Sequence, residues 1–200
     1  MDRICVFCGS SPGGNPNYNQ AAISLGQELA RQRIGLVYGG GKVGMMGAIA
    51  QAVLESGGEV IGVIPEQLAH QEVAFTDLND LRVVKTMHER KAMMVDLADG
   101  FIALPGGLGT FEEFFEVLTW AQLSIHKKPC GILNINGYYS DLIRFLDHAV
   151  SEQFIGNEHR SILQVGDQPA ELLDKFNNYQ APILDKATWA KRLNNRPESS

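Results

Sequence analysis

Seven short apolar runs, mostly separated by stretches of helical length and repeatedly closed by glycine, proline or serine, predict a doubly wound α/β domain. Two further observations sharpen this. The runs are almost continuously apolar and do not alternate with polar residues, as strands buried on both faces of a parallel sheet require. The 21 glycines cluster at the ends of the runs. Residues 4–8 form the first strand and run into Gly9-Ser10-Ser11-Pro12-Gly13-Gly14, after which 17–33 read as a helix. Residues 36–38 run into Gly39-Gly40-Gly41 ahead of a helix over 42–56, and the strand 60–64 stops at Pro65. Strands over 81–84, 101–104, 131–133 and 162–165 follow, with helices over 87–98, 109–124, 138–152 and 168–178. The expected architecture is Rossmann-like: a mostly parallel sheet of about seven strands with helices on both faces. It forms a single domain over residues 1–185, followed by a polar tail over 186–200. In such sheets a ligand sits beyond the carboxyl ends of the strands. The first, second and fifth strands all end in glycine-rich loops that could converge there.

Composition narrows the functional classes. With 17 Lys plus Arg against 23 Asp plus Glu, the 200-residue chain carries a net charge of −6. A nucleic-acid polymer is therefore not the expected partner, since such surfaces carry a basic excess. No apolar run approaches the roughly 20 residues that span a bilayer. The start Met1-Asp2-Arg3 has no signal-peptide character. Three cysteines without regular spacing do not resemble a secreted disulfide framework, and the expected location is cytoplasmic. Cys5 and Cys8 form a C-x-x-C, but three residues apart on a strand their side chains face opposite ways. No second Cys/His pair with zinc spacing follows, so no metal site is expected.

Two glycine loops and one basic helix carry the candidate chemistry. Gly39-Gly40-Gly41-Lys42-Val43-Gly44 matches G-x-G-x-x-G, yet it follows the second strand and lacks the acidic residue a dinucleotide site places at the end of the next strand. Glu59 has about the right separation but precedes its strand. Val43 stands where a P-loop needs Ser or Thr. The loop is then either a phosphate-friendly turn, with Ser10, Gly40 and Gly41 as candidate positions, or a tight turn that needs glycine for sterics. The second loop is Pro105-Gly106-Gly107-Leu108-Gly109-Thr110-Phe111-Glu112-Glu113. Thr110-x-x-Glu113 reads equally as a capping box or as a ligand-facing pair, with Phe111, Phe114, Phe115 and Leu118 as the buried stripe. The third constellation, Met87-His88-Glu89-Arg90-Lys91-Ala92-Met93-Met94, puts Met87, Arg90 and Met94 on one helical face with Lys91 beside it. Arg90 either snorkels outward or turns inward to pair with Glu113 and an anionic ligand.

Met87-x-x-Arg90-Lys91-x-x-Met94 followed by Pro105-Gly106-Gly107-x-Gly109-Thr110-x-x-Glu113 resembles the LONELY GUY (LOG) family. The resemblance extends through Cys8-Gly9-Ser10-Ser11, Tyr38-Gly39-Gly40-Gly41 and Thr119-Trp120-Ala121-Gln122, over roughly residues 3–165. It implies a Rossmann-like homodimeric enzyme that needs no cofactor. The implied reaction is hydrolysis of the N-glycosidic bond of an N6-modified adenosine 5′-monophosphate, giving free cytokinin and ribose 5-phosphate. Bacterial relatives also resemble AMP nucleosidases. By the same resemblance Arg90 and Glu113 are the catalytic pair. Glu72, Lys91, Gly107, Leu108, Gly109, Thr110, Phe111, Glu112 and Thr119 are substrate-binding positions. Phe111 replaces the Leu of many plant members.

The residue types suit that chemistry. Cleaving a ribosyl–adenine bond builds positive charge on the sugar, which a carboxylate such as Glu113 stabilises. Arg90 would hold Glu113 ionised and grip the nucleotide, and the loop at the helix start would take the 5′-phosphate. A non-catalytic nucleotide or cofactor carrier is the alternative, although it has little use for the Arg90–Glu113 pair. A pyridoxal-phosphate lysine decarboxylase finds no convincing Schiff-base lysine. Met45, Met46 or Met93 could receive an isoprenoid tail or simply fill the core. Trp120 and Ile125-His126 are candidate interface material.

Overall fold

The computed structural model describes residues 1–69, 74–78 and 80–183. Seven strands form one sheet: β1 (Arg3–Phe7), β2 (Gly35–Tyr38), β3 (Val60–Pro65), β4 (Asp80–Val84), β5 (Gly100–Ala103), β6 (Cys130–Leu133) and β7 (Leu163–Gly166). Every pairing is parallel, in the order β4-β3-β2-β1-β5-β6-β7. The sheet is thus wholly parallel where the sequence predicts mostly parallel. From β1 the chain winds outward to β4, crosses back to β5 on the other side of β1, and winds outward again. Ile4 pairs with both Leu36 and Gly100 in register, so β1 is the centre from which the two halves diverge. The carboxyl ends of β1 and β5 are therefore the switch point where such a sheet opens a crevice.

The helices are α1 (Pro16–Arg31), α2 (Gly44–Glu55), α3 (Glu66–Ala69), α4 (Met87–Leu97), α5 (Leu108–Gln122), α6 (Ser140–Ser151), α7 (Asn157–Arg160) and α8 (Pro169–Asn177). The two single-turn helices α3 and α7 are not legible in the sequence, because one turn carries no periodicity. Strand side chains divide between two cores as the pleat demands. Ile4, Val6, Leu36, Tyr38 and Ile102 meet α1, α2 and α8. Cys5, Phe7, Val37, Phe101 and Ala103 meet α4, α5 and α6 on the other face. Cys5 and Cys8 fall into opposite cores and all three cysteines are free and buried, so the C-x-x-C is two separate core residues. Gly26 lets α1 and α2 approach closely: a Cβ there would lie 2.8 Å from the Ile49 carbonyl oxygen.

Local signals set the helix starts. Asn15 caps α1 by accepting from the Asn17 N–H, ahead of Pro16 in the first turn. Thr86 caps α4 by accepting from the Glu89 N–H at 3.1 Å, while Glu89 reaches back to the Lys85 N–H at 2.9 Å. The reciprocal cap of this chain is therefore Thr86-x-x-Glu89. Thr110-x-x-Glu113 is not one, since α5 begins at Leu108 with Gly107 as its cap and Thr110 lies inside the helix. The buried stripe of α5 is Thr110, Phe114, Val117 and Ala121, at i, i+4, i+7 and i+11. Phe111, Phe115 and Leu118 are only partly buried. The expected stripe is rotated by one position, and that rotation frees Glu113 to face α4. Among the described residues no helix is long and apolar enough to cross a membrane.

Candidate functional site

A cleft of about 500 Å³ opens at the switch point, lined by the turns after β1, β2 and β5 and by α4. The three glycine-rich loops do converge. Cys8, Gly9 and Ser10 come from the first, Gly39, Gly41, Val43 and Met46 from the second, and Gly107, Leu108, Gly109, Thr110 and Glu113 from the third. Ile64 and Leu68 add an apolar wall, and Arg90 reaches in from α4.

Arg90 turns inward. Its Nη1 donates to Glu113 Oε1 at 2.6 Å and its Nε donates to the Val63 carbonyl at 3.0 Å, with only 9% and 12% of the two charged side chains exposed. The backbone bond at the end of β3 and the carboxylate of α5 together fix the plane of the guanidinium. Burial lifts the Glu113 carboxyl above its usual range, and the adjacent guanidinium pulls it only part of the way back. Glu113 is therefore a carboxylate held at a cost, which a cation developing beside it would relieve.

The glycines around this pair have distinct reasons. A Cβ at Gly39 would collide with Arg90 Nη2, so this glycine makes room for the guanidinium. Gly44 has φ +58° and a Cβ there would strike the backbone of Ser10. Gly40 sits behind the cleft, its missing side chain facing Ile64 and Leu81. The Gly39–Gly44 run thus owes these three glycines to packing and turn geometry, with Gly41 alone of the central pair lining the cleft. Gly107 and Gly109 are exposed residues of the cleft lining with open space where a side chain would go. The first turn of α5 carries no acidic residue and no side-chain cap, which leaves its N–H groups free for an anion.

Not every expected position gathers here. Glu72 lies outside the described residues. Lys91 is directed away from the cleft, its ammonium held by Glu112 Oε1 at 2.6 Å and Glu116 Oε1 at 3.1 Å, contacts that raise its pKa. Phe111 packs edge-on against Tyr139. Thr119, further along α5, lines a separate small crevice with Phe115, Leu118 and Gln122. Of the three methionines, Met46 lines the cleft, Met45 is buried in the core, and Met93 is partly buried against the core beside a separate recess. The apolar lining residues that the sequence did not offer as candidates are Val43, Ile64 and Leu68, whereas Leu108, an expected substrate-binding position, lines the cleft with 85% of its surface exposed. No lysine lines the cleft among the described residues. Nor do those residues contain a group of three or more His, Cys, Asp or Glu placed to hold a metal. A second recess of about 590 Å³ beyond β6 and β7, lined mainly by Asn17, Gln20, Asn134, Asn136 and Gln168, is larger but holds no cation to match the Arg90–Glu113 pair.

Residues 46–176 match the family model described as "Possible lysine decarboxylase". The chain is 51% identical over 186 residues to the cytokinin riboside 5′-monophosphate phosphoribohydrolase LOG7 of Arabidopsis thaliana, covering 93% of this chain and 85% of that protein. It is likewise 51% identical over 191 residues to the rice (Oryza sativa subsp. japonica) enzyme LOG, covering 96% and 79%. Among solved structures, the molybdenum cofactor binding protein of Rippkaea orientalis superposes with a TM-score of 0.68 at 23% identity, covering 89% of this chain and 96% of that one. The Chlamydomonas reinhardtii molybdenum cofactor carrier protein gives 0.66 at 19%, covering 89% and 97%. At those identities the likeness shows the fold alone, whereas the plant enzymes share half of all residues, so the chain belongs to the LOG family of cytokinin riboside 5′-monophosphate phosphoribohydrolases.

Proposed function

We propose that the chain hydrolyses the N-glycosidic bond of adenosine 5′-monophosphates, plain or N6-modified, to the free base and ribose 5-phosphate. The observation that carries this reading is the buried Arg90–Glu113 pair facing a cleft whose far end is the uncapped, glycine-rich start of α5. The 5′-phosphate sits on the N–H groups of Gly107, Leu108, Gly109 and Thr110, the ribose lies beside Glu113, and the base rests against Val43, Met46, Ile64, Leu68 and Leu108. As the bond from C1′ to the base breaks, its electron pair leaves with the base and positive charge grows on the ribose. Glu113 stabilises that charge and orients the water whose oxygen bonds to C1′. One proton of that water passes to solvent or base, and the departing base is neutral once protonated. Arg90 acts through Glu113, holding the carboxylate in place and countering the burial that would protonate it.

Chromatographic product analysis with AMP and isopentenyladenosine monophosphate tests the reading. Free base and ribose 5-phosphate from the wild type, lost about 100-fold or more in Glu113→Gln, are the expected results. Binding of either nucleotide without release of base favours a non-catalytic carrier. The ratio of the two rates separates an AMP nucleosidase from a cytokinin-activating enzyme. We further place the chain in the cytoplasm as a homodimer. Three unpaired thiols suit a reducing compartment. Leu123, Ile125, Phe145 and Phe154 stand 47%, 65%, 64% and 79% exposed, apolar surface that a second copy would cover. Light scattering at the expected dimer mass checks the latter.

A further inference from the structure

The loop that would seat the phosphate has almost no means of holding its own shape. Pro105-Gly106-Gly107-Leu108-Gly109 contains three glycines, and Leu108 projects into solvent. The four carbonyls from Leu104 to Gly107 are nevertheless all engaged in succession. The Leu104 oxygen accepts from Tyr139 Oη at 2.7 Å, the Pro105 oxygen from the Gly9 N–H at 3.1 Å, the Gly106 oxygen from Tyr138 Oη at 2.5 Å, and the Gly107 oxygen from the Phe111 N–H at 3.1 Å. A trans peptide directs its N–H opposite to its C=O, and this chain has no cis bonds among the described residues. Pinning the Gly106 carbonyl therefore also fixes the direction of the Gly107 N–H, the first donor of the anion seat.

The two tyrosines are themselves rigidly mounted. They follow a 3₁₀ turn (Ile135–Gly137) in which Asn136 takes φ +52°. Asn134 Oδ1 accepts from the Tyr139 N–H at 2.7 Å. The Tyr138 and Tyr139 rings stand perpendicular, 5.0 Å between centroids, with Tyr18 edge-on to Tyr138 at 5.6 Å and Phe111 edge-on to Tyr139 at 6.2 Å. An aromatic cluster mounted on α1, α5 and the β6–α6 turn thus ends in two hydroxyls on a loop that lacks side chains to lock it.

We infer that Tyr138 is a positioning residue for the 5′-phosphate, its hydroxyl holding the Gly106–Gly107 peptide in the orientation that presents the loop's N–H groups to the anion, with Tyr139 fixing the base of the same loop. This rests on the proposed hydrolase reading. Tyr138 is 39% exposed, so Tyr138→Phe removes one hydroxyl without opening a cavity. Loss of that anchor raises KM for AMP and the inhibition constant of ribose 5-phosphate together by about 5- to 10-fold, with a much smaller change in kcat and an unchanged melting temperature. Tyr138→Ala shows the same KM, because the hydroxyl and not the ring does the holding. Tyr18→Phe, which keeps its ring against Tyr138, leaves KM at the wild-type value. Wild-type KM in Tyr138→Phe, or a rise only in Tyr138→Ala, overturns the anchor. Calorimetric titration of AMP into Glu113→Gln, with and without Tyr138→Phe, reads the same loss without turnover. A wild type that binds AMP but releases no base thus sinks the hydrolase reading while the titration still decides the anchor.

Discussion

Replacing Gly39 by alanine adds one methyl group and no functional group, yet it acts directly on the Arg90–Glu113 pair proposed as the catalytic centre. The new Cβ collides with Arg90 Nη2. Nonbonded carbon–nitrogen contacts settle near 3.5 Å, so the guanidinium has to retreat by about 1 Å. That retreat opens both the 2.6 Å bond to Glu113 and the 3.0 Å bond to the Val63 carbonyl. Misplacing a reacting group by about 1 Å costs on the order of 100-fold in rate. Weakening two charge-assisted hydrogen bonds, one of them within an ion pair, costs about 1–3 kcal/mol of stability. For a chain of this size that lowers the melting temperature by roughly 3–10 °C. Gly39 does not occupy the left-handed region, so its backbone accepts alanine and the fold survives. Initial rates of base release, read by chromatography beside a calorimetric melt, measure both effects. A Gly39→Ala protein within threefold of wild-type rate and with an unchanged melt would show that catalysis does not need the guanidinium where β3 and α5 hold it.

Three other expectations follow from the same geometry. Burial raises the Glu113 pKa above its usual 4.5, so kcat/KM should fall on the acid side with a midpoint above that value and the limb should vanish in Glu113→Gln. The sign for stability is the reverse of the common carboxylate case: the folded chain binds this proton more tightly, so the group's contribution is present below the unfolded pKa and lost as pH rises through the folded one. The thiols of Cys5, Cys8 and Cys130 are all pushed up by burial, so a disulfide reagent at pH 8 should find none in the native protein and all three after denaturation. Rapid labelling of Cys8 in the native state would contradict its depth in the cleft wall. Gly44→Ala should cost more than about 3 kcal/mol, since it combines a left-handed backbone with a collision against Ser10, and a chemical denaturation curve measures it.

Much of this architecture is legible in the order of residues. The five inner strands appear as apolar runs because a strand covered on both faces has no polar side to interrupt it, whereas the edge strands β4 and β7 carry Arg82 and Gln164 and are only partly buried. The six long helices appear through their length and start signals. Arg90 and Glu113 are offered as a pair by the resemblance of their two motifs to the LOG family, while the residues alone leave Arg90 free to snorkel and Glu113 free to cap a helix. What the chain conceals is the orientation of each helix about its own axis. Thr110-x-x-Glu113 satisfies the pattern of a cap, and only the helix start at Leu108 shows that it is not one. The Gly39–Gly44 run looks like a phosphate loop, whereas Gly39 serves a guanidinium that enters from a helix almost fifty residues later.

By itself, then, the sequence determined the fold class, the end of the strands at which a site could form and the residues able to carry charge there, because each is encoded by local pattern and by the chemistry of single side chains. Tertiary structure alone decided which of those residues meet. Arg90 could have snorkelled, and it faces inward because Val63 and Glu113 offer it an acceptor on either side. Lys91, one position on, turns to Glu112 and Glu116 because a helix rotates successive side chains by about 100°. Long-range packing sets such pairings, and no window of the chain contains both partners.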